Sequence, residues 1–118
     1  MASAAQPSLQ IDCKPGLHPG EQIIKVRGPL VISNFFEFQN IARQNKAPLL
    51  IIDLEGVPYM DSSALGAVLG IHVSTGNKGT KYALIHVAPR LESLFEMSGV
   101  RDTLVMFPTL ADAEKALL

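Results

Sequence analysis

The run "LLIIDL" at residues 49–54 constrains the fold more than any other feature of the chain. It is short, unbroken and apolar, the pattern of a strand covered on both faces, as parallel sheets require. The loop "EGVPYMD" follows, and then a segment from Ser62 to Thr75 with helical character, which Gly76 is placed to stop. The same alternation recurs along the chain. "QIIKVRG" (22–28) reads as a half-buried strand, and "SLQIDCK" (8–14) as a weaker strand joined to it by the turn-rich "PGLHPG", so the two should pair antiparallel. "SNFFEFQNIARQN" (33–45) reads as a helix with an apolar stripe of Phe35, Phe38, Ile41 and Ala42, opened by an Asn34–Glu37 capping box. "KYALIHV" (81–87) is a buried strand and "PRLESLFEMSG" (89–99) a helix that starts on proline. "TLVMF" (103–107) is a last strand, and "TLADAEKALL" (109–118) a helix opened by Thr109 and Asp112. Strands alternating with helices imply an α/β fold: a mixed, mainly parallel sheet of about five strands packed with about four helices.

At 118 residues the chain suits one core. Residues 1–6 read as a flexible tail and residues 7–118 as a single domain. Apolar residues make up 47% and charged residues 18%, so the chain should fold. The net charge of −1 and the lack of any Lys/Arg run give no electrostatic footprint for nucleic acid. No apolar run reaches the ~20 residues that span a bilayer, and "MASAAQPSLQ" has neither the cationic patch nor the apolar core of a secretory signal. The expectation is a soluble, cytoplasmic domain that contacts neither nucleic acid nor membrane. The single cysteine, Cys13, rules out an internal disulfide and a multi-cysteine metal site, and reads as a buried or idle thiol.

The helix from Ser62 is unusual in what it lacks. On a helical wheel Leu65, Val68, Leu69, Ile71, His72 and Val73 gather on a bulky side, and Ser62, Ser63, Gly66, Ala67, Gly70 and Ser74 on a small one. A solvated face would carry charge, and this one has none. Each interior glycine costs up to about 1 kcal/mol relative to alanine. Either another protein docks on the small ridge, or a helix of the same domain packs against it. Asp61 or Ser62 suits the helix cap. A serine between strand and helix also raises the question of a hydrolase nucleophile, but the flanking glycines of G-x-S-x-G are missing. His72 lies on the core side about three turns away, and only His86 is placed to approach the loops. No complete set of nucleophile, base and orienting group is visible, so the chain is not read as an enzyme and needs no cofactor. "TGNKGT" (75–80) lacks phosphate-loop spacing and reads as a turn. Asp53 and Glu55, near the end of the third strand, are a weak metal or catalytic signal beside the plainer reading of solvated loop charges.

"LIIDLEGVPYMDSSALGAVLG" resembles the signature segment of STAS domains of the bacterial anti-sigma factor antagonist type, and "APRLESLFEMSGV" resembles a later segment of the same family. The order of elements agrees with the family over nearly the whole chain. The resemblance implies that Ser62, after Asp61 and before Ser63, is phosphorylated by a partner anti-sigma factor with serine kinase activity. It also implies that the unphosphorylated domain binds that partner, through Asp61, Ser62, Ser63, Gly66 and Gly70, and so frees a sigma factor for transcription. Two positions depart from the family pattern: "GPLVISN" lacks the acid often found after the second strand, and Ala64 replaces a common glycine. Such departures fit a branch with a different partner, a stressosome-like assembly or a lipid- or anion-transport complex, with ligand binding as a further role.

Overall fold

The structure, a computed structural model, describes residues 9–118. The expected tail at 1–6 lies outside the described residues. Five strands form one sheet in the order of the chain: β1 (Gln10–Pro15), β2 (Glu21–Arg27), β3 (Leu49–Gly56), β4 (Lys81–Ile85) and β5 (Met106–Phe107). β1 pairs antiparallel with β2, and every other neighbouring pair is parallel. The four helices are α1 (Phe35–Arg43), α2 (Ser62–Lys78), α3 (Pro89–Met97) and α4 (Leu110–Leu117).

Consecutive parallel strands that lie side by side are joined by crossovers of one hand, which puts their connecting helices on one face. α1, α2 and α3 accordingly share one core with the sheet, built on Phe38, Val68, Phe95 and the β3 residues Leu50, Ile52 and Leu54. The alternate residues of β3, Leu49 and Ile51, face a smaller core closed by Ala113 of α4. Two-sided coverage explains the apolar run that the sequence displays: residues 49–54 are all buried.

Several boundaries differ from the sequence reading. α2 runs past Gly76 to Lys78 and stops at Gly79, which adopts φ 72. Gly76 remains helical, because the left-handed stop residue comes one turn later. The last strand is confined to Met106–Phe107, with Leu104 turned into the main core ahead of it. Asn34 does precede α1, but its side chain caps nothing there. Its Oδ1 accepts from the Val31 N–H (2.9 Å) and its Nδ2 donates to the Pro29 carbonyl (2.9 Å), so the amide pins the preceding loop instead. Cys13 is exposed on β1 rather than buried. Partial desolvation, and after it the charge of Asp12, push its thiol upward, which keeps it protonated and idle.

Candidate functional site

The loop after β2 and the loop after β3 are stitched together where α2 begins. Leu30 and Met60 form a parallel bridge: the Leu30 N–H donates to the Tyr59 carbonyl (3.2 Å) and the Asp61 N–H to the Leu30 carbonyl (3.2 Å). Asp61 then completes the junction with its side chain. Oδ1 accepts from the Ala64 N–H (3.1 Å), capping α2, and Oδ2 accepts from the Ile32 N–H (2.9 Å) across the gap. The cap therefore belongs to Asp61, which leaves Ser62 uncommitted. Ser62 is the first residue of α2, exposed, and makes no side-chain hydrogen bond among the described residues. Ser63 is half-buried beside it.

Ser62, Gly66 and Gly70 form an exposed line, one turn apart. A methyl group placed on Gly66 or Gly70 meets no atom beyond the helix itself within 4 Å. The ridge is consequently not buried against a neighbouring helix of the same domain. The wheel drawn from the sequence is corrected at two positions. Ala67 is buried, and Val73 is 58% exposed. At about 100° per residue, Val73 lies only about 20° round the helix from Ser62, so it belongs to the open line. From Ser62 to Val73 the outward face of α2 carries no charge. Ile32, 67% exposed, and Tyr59, beneath the Arg90 guanidinium at 5.2 Å, flank the helix start and add apolar surface there.

The histidines are engaged elsewhere. His72 Nδ1 meets the Tyr82 hydroxyl at 2.9 Å, and that hydroxyl accepts from the Val105 N–H (3.1 Å). Burial holds the Tyr82 hydroxyl protonated by pushing its pKa up, so it donates to His72. His86 Nδ1 lies 3.1 Å from Asp53 Oδ1. Thus Asp53 and Glu55, which the sequence suggested as solvated loop charges, are joined by His86, and Asp53 is buried. The crevice between α1 and α2 beside Gly70 and Ser74 encloses about 20 Å³, enough for a water and too small for a metabolite.

A mixed α/β sheet carries, at the start of α2, an uncharged exposed helix face beside a serine that makes no side-chain hydrogen bond among the described residues. The sequence pattern of the STAS domain matches residues 10–113, and the chain belongs to that family. It is 29% identical over 82 residues to an anti-sigma-B factor antagonist of Staphylococcus aureus, covering 67% of this chain and 76% of that one. A crystal structure of an anti-sigma factor antagonist from Mycobacterium paratuberculosis superposes with a TM-score of 0.81 at 22% identity, over 93% of this chain and 94% of that chain. The Bacillus cell fate determinant SpoIIAA, an anti-sigma factor antagonist, shares the fold in its unphosphorylated form (TM-score 0.71, 19% identity, 92% of this chain and 95% of that one). It shares it in its phosphorylated form as well (TM-score 0.65, 92% and 98%). No helix among the described residues is long and apolar enough to cross a membrane.

Proposed function

We propose that this chain is an anti-sigma factor antagonist: it binds an anti-sigma factor with serine kinase activity in the cytoplasm, and phosphorylation of Ser62 ends the binding. The observation that carries this reading is the pair of glycines at 66 and 70. No described residue touches the space above them, so the fold as described gains nothing from glycine there. Glycine in a helix costs up to about 1 kcal/mol, and a close-fitting partner gives that cost a purpose. Asp61, Ser62, Ser63, Gly66 and Gly70 form the contact, with Val73 and Ile32 extending it.

The switch needs no refolding. A phosphate adds about −1.5 to −2 charges. On Ser62 it sits at a helix N-terminus, where the N–H groups of Ser62 and Ser63 have no partner within the helix. The Asp61 carboxylate, fixed by two hydrogen bonds, opposes it. The two effects offset each other in the free domain. In the complex the phosphate is a charge forced into a desolvated contact, and there it is costly. No hydrolytic activity belongs to this reading, because His72 and His86 are both held by other groups.

The test is capture of the anti-sigma kinase encoded beside the chain's own gene. Ser62→Ala should bind it at parental strength with or without ATP, and Ser62→Asp at least tenfold more weakly. Equal capture by both variants would contradict the switch.

A further inference from the structure

We propose that Asp53, Glu55 and His86 form a binding site for a divalent transition-metal ion of the zinc or manganese kind. The proposal is independent of the serine switch. The three residues come from the ends of adjacent parallel strands: Asp53 pairs with Ile85 in register, which puts His86 one step beyond it. One ligand atom from each lies within 4.8 Å of the other two.

The closest pair has the spacing of neighbouring ligands. His86 Nδ1 and Asp53 Oδ1 are 3.1 Å apart. Two ligands each about 2.1 Å from one ion stand ~3.0 Å apart at a right angle and ~3.4 Å apart at the tetrahedral angle. The separation of the two atoms thus matches that of two ligands of one ion. Asp53 Oδ1 also accepts from the Glu55 N–H (3.0 Å), which fixes the carboxylate as ligating carboxylates are usually fixed. Glu55, exposed, supplies a third arm with freedom to close.

Charge points the same way. Asp53 is 8% exposed, and His86 is its one ion-pair partner among the described residues. Glu55 makes no ion pair among them, and Lys25, opposite Asp53 on β2, makes none with either acid. Two carboxylates, one buried on Asp53 and one exposed on Glu55, against one imidazole give a negatively charged cluster that a dication neutralises. Imidazole with carboxylates suits zinc, manganese or iron rather than calcium or magnesium, which take oxygen alone. His86 and Glu55 are both reached from solvent, His86 along a groove of about 380 Å³ that it lines.

The test is a calorimetric titration of the full chain with Zn²⁺, paired with thermal melts. One ion should bind per chain and raise the melting temperature. His86→Gly is the decisive variant. Residue 86 sits at φ 56, which glycine adopts without strain, so the backbone there is kept; with its fold verified by circular dichroism, the variant should bind Zn²⁺ at least tenfold more weakly and lose the thermal shift. Cys13→Ser should bind as the parent does. Absence of saturable binding to the parent, unchanged binding by His86→Gly, or loss of binding in Cys13→Ser would each overturn the site.

Discussion

α2 and α4 lie on opposite faces of the sheet and begin alike, yet they end up with different surfaces. Each is opened by a residue in extended conformation whose side-chain oxygen accepts a backbone N–H: Asp61 from Ala64 at 3.1 Å, Thr109 from Asp112 at 3.2 Å. α4 then shows solvent a charged face with Asp112 and Lys115, and even its inner edge brings Glu114 against the buried Glu21. Over its first three turns α2 shows solvent serine, glycine, glycine and valine, and its one charged residue, Lys78, comes only at its end. Water would accept charge on both. The uncharged stretch of α2 from Ser62 to Val73 is what the proposed docking surface rests on.

The largest effect should come from adding bulk and charge to one helix or the other. Gly66→Arg fills space that is open in the free domain, so the fold should persist in circular dichroism while capture of the anti-sigma partner falls at least a hundredfold. Ala111→Arg, exposed on α4, should leave capture unchanged. Equal loss in both would erase the distinction between the faces, and a collapsed Gly66→Arg would return the ridge to internal packing.

The caps should differ next. Thr109→Ala loses one capping bond, worth about 1 kcal/mol. Asp61→Ala loses a cap and the bond to Ile32, together about 2 kcal/mol. Urea titration of both variants checks the order. By contrast Ser62→Ala should change stability by no more than about 0.5 kcal/mol, since Ser62 is exposed and caps nothing.

A smaller effect, of opposite sign, should come from the glycines. Gly66→Ala and Gly70→Ala should each stabilise the domain by about 0.5–1 kcal/mol, because the added methyl meets nothing and alanine is the better helix former. Destabilisation in chemical melts would show that glycine serves the fold and not a partner.

The mildest difference concerns pH. Among the described residues neither carboxylate oxygen of Glu21 has a hydrogen-bond partner. Burial first, and the Glu114 carboxylate second, push its pKa up, while His18 opposes them. The folded chain therefore holds this proton where the unfolded chain has released it. Stability should fall as pH rises from the ordinary carboxylate range through the raised folded value. Glu21→Gln should flatten that slope and melt higher than the parent at neutral pH.

Much of this architecture is legible in the sequence where one physical cause dominates. The continuous run at 49–54 reports two-sided burial, and Pro89 marks the start of α3. Val73 was misplaced because a β-branched apolar residue suggests core, whereas its angle on the helix decides its exposure. The helix stop shifted because Gly76 and Gly79 read alike locally, and only the latter takes positive φ. That Asp61 rather than Ser62 caps α2 depends on the Ile32 N–H, twenty-nine residues away. The joining of His86 to Asp53 depends on strand register, which a single sequence does not display.

The most direct test of the central claim is the location of phosphate after incubation of the full chain with its cognate anti-sigma kinase and ATP, mapped by tandem mass spectrometry and followed by a capture assay on the modified protein. Phosphate on Ser62, with capture lost and the melting temperature nearly unchanged, is the predicted result. Phosphate confined to Ser63, Ser74 or a threonine, or a Ser62-phosphorylated chain that still captures the kinase, would contradict it.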